Sequence, residues 1–217
     1  MAPSDEAYRQ SGGQPAALDE RRGGIDAWLD AIVYYGLGQH LLLALPMLWI
    51  AFSAVVTPVA VTTSAIISLG VASITIGAFR MGAISVGPPW HRIDDNELGL
   101  GPDAGYGFLV RRAAYLNATL GLGTFAGALA DTGGGGLVSA LLVAGGFAFG
   151  AMLSLPSIRA LPRAQSVVVR SLYYVVSLAV VAGTTRVLDL SVGMPSAALA
   201  FGVVCAFAIF DVGMDLR

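Results

Sequence analysis

The stretch AAYLNATLGLGTFAGALADTGGGGLVSALLVAGGFAFGAMLSL, residues 113–155, decides the fold. Two apolar runs, 113–130 and 137–155, flank Asp131-Thr132 and four consecutive glycines, and neither run contains a charged residue. A helix of about 20 apolar residues is long enough to cross the hydrocarbon core of a bilayer. A glycine run favours a turn over a helix. The pattern therefore predicts two transmembrane helices joined by a tight turn.

Further apolar runs lie on both sides of this central pair. We therefore expect an all-α, polytopic integral membrane protein with six transmembrane helices arranged as three hairpins. The predicted spans cover about 31–56, 59–79, 113–130, 137–155, 166–185 and 196–210. Pro46 should kink the first span, and Pro156 should end the fourth. The six helices form one predicted membrane domain over 25–217, which follows a disordered acidic tail over 1–24.

The composition supports a membrane protein and excludes several other classes. Of the 217 residues, 56% are hydrophobic and 12% are charged, whereas a soluble domain carries roughly 25% charged residues. The mean hydropathy is +0.74. The net charge of −2 provides no basic surface for nucleic acid. Cys205 is the single cysteine, which excludes an intramolecular disulfide and a zinc site built on thiolates.

The distribution of arginines predicts how the chain is oriented in the membrane. Every basic residue is an arginine, and the aqueous segments are acidic, which suggests a halophilic source. All arginines except Arg186 fall at the termini, in the connections after the second and fourth predicted spans or, in the case of Arg170, about one turn into the fifth span from that same side. Short loops rich in arginine stay cytoplasmic. Both termini are therefore predicted to be cytoplasmic, in a multi-pass protein of the plasma membrane.

Five polar residues inside the first three spans form a candidate intramembrane site. They are Gln39, His40, Ser64, Ser68 and Asn117. A histidine at mid-depth could relay a proton or bind a ligand. The alternative, which we favour, is a neutral imidazole bonded to Asn117 or to a backbone carbonyl. The two serines could line a polar path, or they could bond to the backbone and across helix interfaces.

One face of the fifth predicted span carries four polar residues, Arg170, Tyr174, Ser177 and Thr184. Arg170 could reach the headgroups, or it could turn inward and pair with a buried acid. Asp131, Asp189 and Asp211 all fall at the ends of predicted spans, so we expect no acid at depth. The absence of such a group argues against a proton or sodium pump driven by a carboxylate.

Two GxxxG patterns lie in the central pair of spans, Gly123–Gly127 and Gly146–Gly150. Glycine allows helix backbones to approach closely in lipid. The two patterns could pack the third and fourth spans against each other, which we favour, or they could form a homodimer face.

The loop over 87–103 contains His91, Asp94, Asp95 and Glu97, but their spacing matches neither an EF-hand nor HExxH. We interpret it as a solvated acidic loop and expect no metal or other cofactor. The sequence has no P-loop and no GxSxG motif, so no enzymatic activity is expected.

The expected function is that of a non-catalytic subunit or accessory component of a membrane complex. Its expected partners are the lipid bilayer and either a second copy or another membrane protein. The alternative is a small-solute permease or channel lined by the polar residues of spans one to three.

Overall fold

The computed structural model describes residues 25–54, 58–84, 86, 105–190 and 196–216, and within these ranges the chain is helical and has no β-strand. We number its α-helices in chain order. They are α1 (Ile25–Asp30), α2 (Gln39–Leu43), α3 (Leu45–Phe52), α4 (Pro58–Arg80), α5 (Gly105–Ala130), α6 (Gly136–Ala160), α7 (Arg163–Val187) and α8 (Ser196–Asp215). Two π-helical turns complete the chain path: Ala31–Gly38 joins α1 to α2, and Asp131–Gly135 joins α5 to α6.

Four stretches of the described chain are long and apolar enough to cross a membrane. They are Val59–Phe79, Leu109–Ile158, Arg163–Val187 and Ser196–Asp215. A fifth is present if the bent pair Trp28–Leu43 and Leu45–Phe52 counts as one span, and we call this pair the first helix. The all-helical class is therefore established, and several of its helices have the length and composition of membrane spans.

The stretch Leu109–Ile158 contains a reversal of the chain. A straight helix of its 50 residues would be about 75 Å long, against a hydrocarbon core of about 30 Å. Gly134 has φ +100° and Gly136 has φ +60°, a region that glycine adopts without the steric cost of a Cβ. The glycine run therefore forms the turn predicted from the sequence, and α6 folds back onto α5.

Helices that are neighbours in sequence pack in antiparallel pairs. The contacts that show this are Ile32 with Gly77, Gly36 with Ser73, Ser64 with Gly127, Ser68 with Gly123, and Tyr115 with Ala151. In each pair of helices, the residue number rises on one helix as it falls on the other. The beginning of the first helix therefore lies at the same end of the bundle as the end of α4, the beginning of α5 and the end of α6.

Helix α5 is the centre of the bundle. Every residue from Ala113 to Phe125 is buried, and α5 contacts α2, α3, α4, α6, α7 and α8. A helix that is covered on all sides needs small residues where its neighbours come closest, which α5 provides at Gly121, Gly123 and Gly127. The position of α5 brings its polar residues into contact with most other helices.

The structure confirms the bend predicted from the sequence and changes several predicted helix ends. The bend predicted at Pro46 is confirmed, because the first helix turns by 70° there. Pro156 does not end its helix, since α6 continues to Ala160; a proline close to a helix end removes only one hydrogen bond. Helices α5 and α8 extend beyond 113–130 and 196–210 into segments with charged residues. Arg111, Asp211 and Asp215 in these segments form ion pairs with one another and with Arg170, as described below.

Candidate functional site

The bend in the first helix is held by Asn117 of α5. Ala44 has φ −98° and ψ 14°, outside the helical region, and Pro46 has no N–H to donate. Asn117 Nδ2 donates to the carbonyl oxygen of Leu43 at 2.8 Å, and the Met47 N–H donates to Asn117 Oδ1 at 3.1 Å. In an uninterrupted helix this N–H and this carbonyl would bond to each other. The Asn117 amide therefore replaces one missing helical hydrogen bond.

Two further backbone bonds are present at the bend. The Ala44 N–H donates to His40 O at 2.9 Å, and the Leu48 N–H donates to Ala44 O at 3.0 Å. Asn117 Nδ2 also donates to Ala113 O at 2.8 Å, one turn back on its own helix. The amide oxygen of Asn117 and both of its N–H groups are thus hydrogen-bonded to backbone groups of the protein.

His40 lies one turn before the bend and is completely buried. Its Nδ1 lies 2.8 Å from the carbonyl oxygen of Gly36, so its partner is a backbone carbonyl. Its Nε2 has no hydrogen-bond partner among the described residues. An unpaired polar atom in an apolar interior costs free energy, which makes Nε2 a notable feature of this region.

Other buried side-chain atoms also lack a hydrogen-bond partner within the described part of the chain. They are Gln39 Oε1, Ser64 Oγ, Ser73 Oγ, Thr124 Oγ1 and Arg170 Nε. Two of these atoms belong to residues that are related to His40: one residue is its neighbour in sequence, and the other contacts Gly36. Gln39 precedes His40 in sequence, and Ser73 packs against Gly36, whose carbonyl accepts from His40.

Ser64 and Ser68 lie on the side of α4 that faces α5 and α6. A Cβ at Gly123 would lie 2.4 Å from Ser68 Oγ, and one at Gly127 would lie 2.9 Å from Ser64 Oγ. Ser68 Oγ is also 3.5 Å from the carbonyl oxygen of Ala144 on α6. The hydrogen bonds found among the described residues do not connect these serines with His40 or Asn117. Within the described chain, the residues of the predicted polar site are therefore not joined into one hydrogen-bonded network.

The two GxxxG patterns have different surroundings. Gly123 and Gly127 are in tight contact with α4 and with Ala144 of α6. Gly146 and Gly150 are exposed, and a Cβ at either position would meet no atom within 4 Å. The prediction that both patterns pack α5 and α6 together is wrong for the second pattern. The face of α6 that packs inward is instead built from alanines, namely Ala140, Ala144 and Ala148.

Helix α7 has a polar inner face and an apolar outer face. Its buried residues are Arg170, Tyr174, Ser177, Val181 and Thr184, which confirms the face predicted from the sequence. Its most exposed large residues are Val168, Leu172, Val175 and Val187. An apolar outside and a polar inside is the arrangement expected when lipid surrounds the helix.

Two arginines and two aspartates form a buried ion-pair network at one end of the bundle. Arg170 of α7 binds both Asp211 and Asp215 of α8. Arg111 of α5 donates from Nε to Asp211 Oδ1 at 2.8 Å and from Nη2 to Asp215 at 2.8 Å. The Tyr174 hydroxyl donates to Asp211 Oδ2 at 2.7 Å. The network has equal numbers of positive and negative charges and connects three helices.

Helix α8 continues past the predicted end at 210, and Asp211, at that end of the bundle, is an acid buried among protein side chains. This residue lies inside the stretch Ser196–Asp215. Pairing with Arg111 and Arg170 makes burial of the carboxylate possible. The four-residue spacing of Asp211 and Asp215 in the sequence places both on one helix face, but it does not identify their partners.

A second group of hydroxyls connects α5 to α6 and α7. Tyr115 donates to Ala151 O at 2.6 Å, and its hydroxyl oxygen is 3.1 Å from Ser154 Oγ. Thr119 Oγ1 is 2.8 Å from the hydroxyl of Tyr173. Ser177 of α7 donates to the carbonyl oxygen of Ala118 at 2.6 Å, so these side chains, too, bind neighbouring helices.

Several sequence predictions concern residues outside the described ranges. These are the tail over 1–24 and the acidic loop over 87–103 with His91, Asp94, Asp95 and Glu97. Within the described ranges, no three His, Cys, Asp or Glu side chains converge in a way that could hold a metal ion.

The chain belongs to a family defined by a domain of unknown function, DUF8215, which it matches over residues 22–162. This region contains α1 to α6, including Asn117, His40 and both GxxxG patterns. Helices α7 and α8, with Arg170, Asp211 and Asp215, lie after it. Neither a curated protein nor a solved structure matches the chain.

Proposed function

We propose that this protein is a non-catalytic integral membrane protein that serves as a subunit or accessory component of a membrane complex. The observation that carries the proposal is the use of Asn117, whose amide is bonded to Leu43, Met47 and Ala113. Ser68, Tyr115 and Ser177 likewise bond to neighbouring helices. Polar groups used in this way stabilise a membrane bundle and are not free to line a path.

The proposed arrangement has six spans with both termini in the cytoplasm, in the plasma membrane. It treats α5 and α6 as separate spans and the bent first helix as one span. The antiparallel packing of sequence neighbours supports this arrangement. The ion-pair network also supports it, because it brings the start of α5, the start of α7 and the end of α8 together.

The open glycines of α6 support contact with another membrane helix. Gly146 and Gly150 share one exposed face, on which a partner backbone could approach without steric conflict. The partner would be a transmembrane helix of another protein or of a second copy.

Purification in mild detergent from the native host, with mass spectrometry of co-eluting chains, tests the proposal. Leucine at both Gly146 and Gly150 should remove a stoichiometric partner, because its side chains would fill the contact face. Gly202→Leu is the matched control, since Gly202 is also exposed with no atom near its Cβ position. A protein that purifies alone, or a partner retained equally in all variants, would contradict the proposed contact.

A permease for small polar solutes is the second candidate, and one observation favours it. His40 Nε2, Gln39 Oε1 and Ser73 Oγ are buried without a partner among the described side chains. A path for a polar solute would require such atoms. Flux of water and urea into proteoliposomes should fall in His40→Ala if this function is correct, and an unchanged rate would exclude it.

A further inference from the structure

The hydrogen bond between His40 and Gly36 determines the chemistry of the other ring nitrogen. Nδ1 lies 2.8 Å from the Gly36 carbonyl oxygen, which can only accept. Nδ1 therefore carries the hydrogen, and Nε2 of the neutral ring is an acceptor with a lone pair. The residue is completely buried, and Nε2 has no donor among the described residues. A buried acceptor of this kind is stabilised when a donor binds it.

Ser73 lies on the other side of Gly36. A Cβ at Gly36 would be 2.6 Å from Ser73 O and 2.9 Å from Ser73 Cβ, so the two backbones are in direct contact. Ser73 is buried, and its Oγ has no partner within the described chain. His40 and Ser73 therefore contact the same glycine, His40 through its ring nitrogen and Ser73 through its backbone and Cβ.

Gln39 adds a third atom of the same kind. Its Oε1, on the residue before His40, is also buried without a partner in the described ranges. A carboxamide oxygen and a bare imidazole nitrogen only accept hydrogen bonds, and a hydroxyl can accept as well as donate. The three atoms together suit a molecule that donates hydrogen bonds.

The charge of the ligand is limited by burial. His40 is completely buried, and a cation placed beside it without an opposite charge would lose its hydration. An anion would meet atoms that mainly accept hydrogen bonds. The ligand should therefore be neutral. We propose that His40, Gln39 and Ser73 form a buried site for a small neutral hydrogen-bond donor, either water or a small amide.

Nitrogen-15 NMR of the imidazole in lipid bilayers tests this site directly. The chain has two histidines, so His91→Gln leaves His40 as the single imidazole signal. The probes are water alone and urea. Ser73→Ala is the perturbing variant, because it removes one of the three polar atoms and keeps the reporter. Ser139→Ala is the matched control, since its hydroxyl is exposed and bonds to Gly136 O of its own helix.

The expected spectrum has a protonated Nδ1 and an unprotonated Nε2 that accepts a hydrogen bond. If water is the ligand, this signal is present without solute and does not change with urea. If an amide is the ligand, urea shifts it. In both cases Ser73→Ala changes the Nε2 signal and Ser139→Ala does not. A protonated Nε2, a bare Nε2 with both probes, or an Nε2 signal that Ser73→Ala leaves unchanged would overturn the proposal.

The test is independent of the proposed subunit role. Loss of a partner protein would leave the His40 signal unchanged, and a bare Nε2 would not affect partner binding.

Discussion

Asn117 shows how one side chain can make a broken helix compatible with lipid. A backbone N–H and C=O that face each other across a break cannot bond to water in the hydrocarbon region. The Asn117 amide supplies one donor and one acceptor, and it bonds to Met47 and Leu43 with both. A carboxylate could not do the same, because it only accepts hydrogen bonds and would leave the Leu43 carbonyl without a donor.

Asn117→Ala should lower the free energy of unfolding by about 1–3 kcal/mol, because it leaves the Met47 N–H and the Leu43 carbonyl unpaired. In this background, Pro46→Ala should recover part of the loss, since a straighter helix lets these two groups bond to each other. Reversible unfolding in bicelles measures both effects. Thr185→Ala is the control, because its hydroxyl is exposed. Strictly additive effects would show that Asn117 does not act on the bend.

At the scale of helices, a glycine permits close packing of two helices only where another helix lies against it. Both GxxxG patterns have the same form in the sequence, yet a Cβ at Gly123 would clash with α4 and α6, whereas a Cβ at Gly146 would meet no described atom within 4 Å. The 3.6-residue period places residues on a face but does not say which face meets another helix. For this reason the helices, the bend at Pro46 and the polar face of α7 could be predicted, and the role of each glycine could not.

Gly123→Ala should destabilise the protein by about 1–3 kcal/mol, because its Cβ would lie 2.4 Å from Ser68 Oγ and 3.1 Å from Ala144 O. Gly146→Ala should be neutral or slightly stabilising, since alanine favours a helix more than glycine does. The two variants are matched in chemistry and differ only in surroundings. Equal unfolding free energies in detergent would contradict the packing described for α5.

The location of Asp211 could not be predicted from the sequence for a related reason. Hydropathy falls after Phe210, so the sixth span was predicted to end there, but α8 continues to Asp215. The charges at this end are stable inside the bundle because they pair with Arg111 on α5 and Arg170 on α7. The partners lie about 100 and 41 residues away in sequence. Pairing over such distances is a property of the fold and not of a local pattern.

At the scale of the whole molecule, the ion-pair network attaches α7 and α8 to the region matched by the family. Arg111 lies inside that region, and the other members lie after it. Ser177 and Tyr173 bond to α5 from the same side, which extends the attachment along α7. The polar contacts therefore hold these two helices where an apolar surface alone would have no preference over lipid.

Asp211→Asn should destabilise the protein by about 3–5 kcal/mol, because it leaves an excess positive charge in a buried site. Adding Arg111→Gln restores equal numbers of charges, so the double variant should lose less than the sum of the single variants. Asp189→Asn, at an exposed position after α7, is the control and should have little effect. Additive losses, measured by unfolding in bicelles, would show that the four charges do not act as one unit.

The orientation of the molecule follows from combining the arginine distribution with the antiparallel packing. If the arginine-rich end is cytoplasmic, the turn between α5 and α6 lies outside.

In a Cys205→Ala background, Gly133→Cys should react with an impermeant maleimide in intact cells, because Gly133 is exposed and has no atom near its Cβ position. Gly134 is a poorer choice, since its φ of +100° strains a side chain. Leu216→Cys, at the exposed end of α8, should react only after lysis. The opposite pattern would reverse the orientation, and reaction of both in intact cells would place the α5–α6 turn and the end of α8 on the same side, which would contradict the six-span arrangement.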